Sequence, residues 1–376
     1  MRKSTKKTQT VVAVIGARAY PAEFIGTSGI EFYIQQVAEE CKVYPIKFDI
    51  YTKKCYQHVL PKKKHKLDST RVITVPTTRG KVGETVIYSF FTSILASFSS
   101  AKVVWYNGIG TGIFAWIPLL FGKKVVLTLH GLDWKRKKWS TVESDLFSLL
   151  SQFIFCLPLH FFSVSSKQVP KELDKRDVTI AEPGFIYLKK STDGTAILKD
   201  LNLAKRNYFL YVGRIVAEKR IEWLCDAFLS LNIFFKKQKL VIAGSPSTTT
   251  DYYERLRKKY ERNNILFIGP VFGNRKAVLL AHARACVLPS KLEGFPVTLM
   301  ETVPLRTPFV IARNFIPADL QKVPCIRTFQ RDSFISLFIQ ILLLSIKSRA
   351  GTLSTEVRKK YHWKKTAQKY AEVFLK

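Results

Sequence analysis

The stretch SKLEGFPVTLMET, residues 290–302, sets two carboxylates, Glu293 and Glu301, on either side of a glycine, an aromatic and a proline. The apolar run ACVLPS before it reads as a buried strand. Pro296 stands where a helix would start, at the position that needs no N–H partner. Glu293 then falls in a strand-to-helix loop and Glu301 near the second turn of that helix. Carboxylates so placed accept hydrogen bonds from hydroxyl-rich ligands in the crevice beyond the carboxyl ends of the strands, where open α/β sheets bind. A second stretch, YVGRIVAEKRIEWLCDAF, puts Arg214 just past a strand and Lys219 at the start of the next helix. Two permanent cations beside a helix N-terminus suit a diphosphate. Taken singly, each stretch also fits a solvated charged loop; paired, they make the two halves of a nucleotide-sugar site.

The elements that must position these residues alternate regularly. VVAVIGA, YPIKFDIY, RVITVP, KVVWYN, KKVVLTLHG and FFSVSS read as strands separated by helices, among them one over 84–98 and a strongly apolar one over 142–158. A second series begins with YFLYVGR and continues through KLVIAG, NILFIGPV, ACVLPS and PFVIAR. Strand–helix alternation of this kind predicts parallel, doubly wound sheets. The pattern divides the chain into a first domain (1–185), a linker (186–206), a second domain (207–360) and a C-terminal helix (361–376) that packs back on the first. Two Rossmann-like domains of this sort face each other across a cleft, where ligands bind. SFISLFIQILLLSI is apolar nearly all round, so a buried helix is expected. WYNGIGTGIF has the glycines of a dinucleotide loop, but it reads G-x-G-x-G on a fourth strand and lacks an acidic partner, so NAD is not expected.

The 376 residues carry a net charge of +33 with 47% hydrophobic residues, a globular composition with a polyanionic neighbour. Basic clusters lie at 2–7, 53–66, 135–138 and 257–259. Trp134 and Trp139 flank the third and suit a loop that faces a membrane or an acceptor. No helix-turn-helix, zinc module or RNA-recognition motif is visible, so nucleic acid is not the expected partner. Cysteines 41, 55, 156, 225, 286 and 325 are scattered without a C-x-x-C pair, which favours buried free thiols in a reducing cytoplasm. The apolar stretch 146–164 approaches the length of a membrane span. Gln152, Pro158 and His160 interrupt it, so a core helix or one dipping into a membrane surface is expected.

In order along the chain, GR…EK, LVIAG, NILFIGPV and EGFPVTLMET resemble the donor domain of the retaining GT-B glycosyltransferases of the family 4 type. VIGARAYPAEF…SGIE, HGLDWKRKKW and FFSVSS resemble the rhamnosyltransferase-like members that build bacterial surface polysaccharides. The resemblance implies a GT-B fold and transfer of a rhamnosyl or other hexosyl unit from a nucleotide-diphosphate sugar, with retained configuration. Arg214 and Lys219 would bind the diphosphate. Glu293, with Gly294, Phe295, Pro296 and Val297 around it, would meet the transferred sugar, and Glu301 the ribose. His130 would face the reacting sugar from the first domain, completing a catalytic set with Arg214, Lys219 and Glu293. Ser28, Gly29 and Glu31 match the family's loop near phosphate and acceptor, with Ser28 where a glycine is usual. Arg306 replaces the glycine expected after the donor helix, a position of positive φ. No D-x-D occurs, and no metal or other cofactor is expected. A growing, lipid-linked glycan is the expected acceptor, with the protein peripheral on the inner face of the plasma membrane. The competing expectations are a non-catalytic homologue, a nucleic-acid-binding basic protein and a sugar-nucleotide epimerase on the same scaffold.

Overall fold

The computed structural model describes residues 9–22, 29–59, 69–77, 83–131, 141–173, 176–188, 194–231, 237–246, 251–262, 264–346 and 353–376. Ser28, Trp134, Trp139, the basic clusters at 2–7 and 135–138, and residues 60–66 of another lie outside them. The chain forms two compact units, residues 1–183 with 362–376, and residues 184–361.

The first unit runs β1 (Thr10–Ile15), α1 (Gly29–Glu40), β2 (Ile46–Lys53), β3 (Thr70–Val75), α2 (Gly83–Ser97) and β4 (Val103–Asn107). It continues through α3 (Trp116–Leu120), β5 (Lys124–Leu129), α4 (Thr141–Cys156), β6 (His160–Ser163) and β7 (Val178–Ile180). All seven strands are parallel, in the order β3-β2-β1-β4-β5-β6-β7. β4, of sequence VVWYN, is buried at every residue and does not alternate, as expected for a strand covered on both faces.

The second unit holds α5 (Gly194–Asp200), β8 (Tyr208–Val212), α6 (Ile221–Ser230), β9 (Lys239–Ala243), α7 (Asp251–Tyr260) and β10 (Ile265–Gly269). After these come α8 (Gly273–His282), β11 (Ala285–Leu288), α9 (Val297–Thr302), β12 (Phe309–Ala312), α10 (Ala318–Gln321), β13 (Ile326–Phe329), α11 (Phe334–Ile346) and α12 (Thr355–Lys360). Its six strands are again parallel, ordered β10-β9-β8-β11-β12-β13. The chain then returns to the first unit as α13 (Trp363–Leu375). There Tyr370 stacks on Phe162 with ring centroids 4.0 Å apart, and its hydroxyl lies 2.7 Å from Thr128 Oγ1.

The order in which strands are added reverses beside the first strand of each sheet, between β1 and β4 and between β8 and β11, which opens a crevice at the carboxyl ends. Backbones crowd there, and glycine is required. Gly16, at φ 122°, sits where a Cβ would come 2.7 Å from the Asn107 carbonyl oxygen. A Cβ on Gly244 would lie 1.9 Å from the carbonyl oxygen of Gly213.

Several expectations are adjusted by the structure. Residues 186–206, read as a linker, belong to the second unit, where Ile186 N donates to Met300 O at 3.0 Å. β7 (VTI) and β13 (IRTF) lack the unbroken apolar run that would make them stand out in sequence. α11, expected to be buried, turns Ile335, Ile339 and Leu343 to solvent along one stripe. Pro296 is the residue before α9 and not its first, and the helix passes at Val303 into a 3-10 turn. Arg306 does adopt the glycine-like backbone, at φ 57°. Among the described residues no helix is long and apolar enough to cross a membrane.

Two measurements check this architecture. Gly244→Ala forces a methyl against backbone and is expected to cost about 1–3 kcal/mol, read by chemical unfolding; unchanged stability would contradict the close approach. Cys41, Cys225, Cys286 and Cys325 are buried, with burial pushing the Cys41 thiol up to about 12. A thiol reagent is therefore expected to modify exposed Cys156 and half-buried Cys55 in the native protein, and the other four only after denaturation.

Candidate active site

The second unit assembles its charged residues on two loops, one after β8 and one after β11. Tyr211, buried in β8, donates its hydroxyl proton to the Arg214 carbonyl at 2.7 Å and so fixes the turn that follows the strand. Burial pushes the Tyr211 phenol well above its ordinary range, with Glu293 adding to the effect and Arg214 opposing it. The phenol therefore stays a donor. Arg214 itself is exposed at the mouth of the strand. Lys219 ends a short 3-10 turn, and Arg220 follows in the left-handed region at φ 48°. Arg220 is held there by bonds to Arg331 O and Asp332 and by the face of Trp223, 4.2 Å away. Its charge is thus directed to the start of α11, while Lys219 turns inward.

The two loops are joined through the backbone, Lys291 N donating to Glu218 O at 2.8 Å. That bond brings Lys219 Nζ to 2.5 Å from Glu293 Oε1, and the same oxygen accepts from Ser290 Oγ at 2.6 Å. Both members of the pair are about nine-tenths buried, with side-chain exposures of 11% and 10%. Sequence reading placed cations and acids on opposite sides of a gap; the structure puts Lys219 and Glu293 in direct contact. Glu301, in the second turn of α9, is matched by a cation that sequence reading missed. Lys276 Nζ, from α8, lies 2.5 Å from Glu301 Oε1. The other oxygen of Glu301 is buried and has no hydrogen-bond partner. Leaving a carboxylate oxygen dry and unpaired is costly, and a ligand hydroxyl would relieve it. Gly294, Phe295, Pro296 and Val297 line the loop between the two carboxylates, with Phe295 and Pro296 buried.

The first unit has a polar cluster of its own beyond β1, β4 and β5. Glu31, near the start of α1, is 1% exposed and accepts from both the backbone N and Nε of Arg18, at 3.0 and 3.1 Å. Burial is the strongest influence on Arg18 and opposes its charge, but Glu31 and Tyr56 together outweigh it and raise the guanidinium above its usual value. Gly29 is the first residue of α1. His130 follows β5 with Nε2 3.0 Å from Asn107 Oδ1 and its ring edge-on to Tyr33 at 5.1 Å. Arg18 and Asn107 were not singled out in sequence. Among the described residues no group of three or more His, Cys, Asp or Glu is placed to hold a metal.

Comparison with known proteins places this geometry in context. Residues 195–322 match the family described as Glycosyl transferases group 1, a segment that includes Arg214, Lys219, Lys276, Glu293 and Glu301. Alpha-D-kanosaminyltransferase from Streptomyces kanamyceticus is 25% identical over 143 residues, 38% of this chain and 37% of that protein. The chain spans less than two fifths of the length of the curated relatives it matches. Among solved structures, sucrose-phosphate synthase from Thermosynechococcus elongatus superposes with a TM-score of 0.77 at 18% identity, covering 97% of this chain and 98% of that one. Alr3699/HepE from Anabaena, solved with UDP and glucose, gives 0.71 at 14% identity, covering 97% and 99%. The fold is that of the GT-B glycosyltransferases.

Removing one member of a buried ion pair strands the other. Lys276→Met is expected to destabilise the protein by about 3 kcal/mol, and Lys276→Met with Glu301→Gln by distinctly less. Chemical unfolding of the two variants checks it, and equal losses would contradict a coupled pair.

Proposed function

We propose that the protein is a retaining glycosyltransferase that moves a hexosyl unit from a nucleotide-diphosphate sugar to a growing, lipid-linked glycan. The observation that carries the reading is the paired arrangement of Lys219 with Glu293 and Lys276 with Glu301 at the β8–β11 crevice, within the segment matching glycosyl transferases group 1. A neighbour of the same fold that was solved with UDP and glucose supports a nucleotide-sugar donor. The finer choice of rhamnose, and of bacterial surface polysaccharide as product, rests on the resemblance of HGLDWKRKKW and its neighbours in the first half.

In this reading Arg214 and Lys219 supply the positive charge that meets the departing diphosphate. Glu293, oriented by Lys219 and Ser290, accepts hydrogen bonds from hydroxyls of the transferred sugar. Glu301 offers its unpartnered oxygen to the ribose, held in place from behind by Lys276. His130, fixed by Asn107, is assigned to the reacting sugar, and Gly29 and Glu31 to the acceptor side. The bond from the anomeric carbon to the diphosphate oxygen breaks, and the acceptor oxygen bonds to that carbon from the same face. The acceptor proton passes to the leaving phosphate. No protein nucleophile or metal is needed when fixed cations stabilise the leaving group; losing one such group costs about 3 kcal/mol of barrier, about a hundredfold in rate. The acceptor's lipid places the protein at the anionic inner face of the membrane.

Thermal unfolding in the presence of UDP, dTDP and GDP sugars tests the proposal. One nucleotide class is expected to raise the midpoint, and Arg214→Ala to abolish the shift. Glu301→Gln is expected to weaken the same nucleotide about tenfold or more, the loss of a hydrogen bond to a charged group. No shift with any class, together with no sugar transfer, would overturn it.

A further inference from the structure

α2 is inside out. Its buried face is Tyr88, Ser89, Thr92, Ser93, Ala96 and Ser97, whose hydroxyls largely turn back onto the helix's own carbonyls. Its outward face is Ile87, Phe91 and Leu95, spaced four residues apart and continued just past the helix by Phe98, which is 73% exposed. A helix that meets water normally carries the opposite arrangement. α3 continues the surface: Phe121, just past it, meets Phe98 with ring centroids 4.8 Å apart, and Leu120 is 75% exposed. α4 adds Leu149 and Phe153, one turn apart and both exposed. None of the three helices contains a lysine or arginine, in a chain with 61 of them. An apolar, cation-free face of this extent marks an interaction site.

The cations gather at one end of the face. Lys123 Nζ caps Ser99 O and Ala101 O at 2.9 and 2.8 Å, immediately after α2, and Lys102 is exposed beside it. Arg176 caps Leu157 O at 2.7 Å and Cys156 O at 3.1 Å at the end of α4, with exposed Lys171 in the turn before it; exposed Glu172 and Asp177 offset part of the charge there, so the cationic end of the face is that of Lys102 and Lys123. The most exposed apolar side chains, Phe98 and Leu120, lie at this same end of α2 and α3. Aromatic and aliphatic side chains rimmed by cations match a bilayer interface, where the former enter the acyl boundary and the latter meet anionic headgroups. A second copy of the chain would set one basic rim near another, which net charges of +33 on each oppose.

We infer that the outer face of α2, α3 and α4 docks the protein on an anionic lipid bilayer. The inference deepens the proposed function and rests on its membrane-borne acceptor for its purpose, although lipid attachment is measured without turnover. The test is flotation of the full chain with phosphatidylcholine vesicles, with and without phosphatidylglycerol, at low and high salt. Wild type is expected to float with the anionic vesicles, to be released by salt and to ignore the neutral ones. Phe98→Ser with Leu120→Ser is expected to weaken attachment about tenfold or more, from lost apolar burial. Lys102→Glu with Lys171→Glu is expected to weaken it about fivefold for each cation lost. Both variants change exposed side chains and are expected to keep the wild-type unfolding midpoint and its nucleotide shift. Wild type that ignores anionic vesicles, or attachment that both variants retain, overturns the inference. So does a wild-type dimer that Phe98→Ser with Leu120→Ser dissociates without changing flotation. Vesicle attachment with no nucleotide shift would sink the sugar-transfer reading and leave this surface standing.

Discussion

β8 and β11, apolar and covered on both faces, leave no room for charge along their length, so the ionised groups of the candidate site are pushed to the strand ends. β8 and β11 are buried throughout, and the charged residues begin only past Val212 and Leu288. Once there, the groups are still largely shielded from water, and each carboxylate is given its own cation. Burying such pairs gains little net stability, because desolvation offsets most of the attraction. Their value is positional. Lys219 and Ser290 hold one oxygen of Glu293, and Lys276 holds one oxygen of Glu301, so both acids are oriented before a ligand arrives. Preorganised charge of this kind needs little rearrangement during reaction.

Much of this was legible in sequence because the relevant signals are local. Strand–helix alternation carries the sheet class, and the order of motifs carries Arg214, Lys219, Glu293 and Glu301. Even the left-handed backbone of Arg306 follows from its place after a donor helix. The contacts that complete the site were not legible. Lys276 is one of 61 cations, and nothing in GNRKAVLL distinguishes it until α8 is seen beside α9. Asn107, the last residue of β4, and Arg18, in the loop after β1, are ordinary polar residues until the backbones crowd at Gly16. β13 escaped because Arg327 and Thr328 interrupt its apolar residues, and the supposed linker failed because its apolar residues, few as they are, find places in the second unit.

α2 shows the complementary limit. Its periodicity predicts a helix with one apolar stripe, and the ordinary inference turns that stripe inward. Packing decides otherwise, because small side chains let the helix lie against β1 and β3 while Ser93 meets the Tyr106 hydroxyl of β4, and hydroxyls bonded back to the helix cost little when buried. The basic composition and the cation-free helices then describe one distribution: charge is excluded from a single broad face and concentrated at its edge.

The first unit is also divided in sequence, with the whole of the second unit inserted between residue 183 and α13. Until α13 is in place, the first unit lacks the ring and hydroxyl that Phe162, Trp105 and Thr128 receive from Tyr370. The half made earliest is the one finished last.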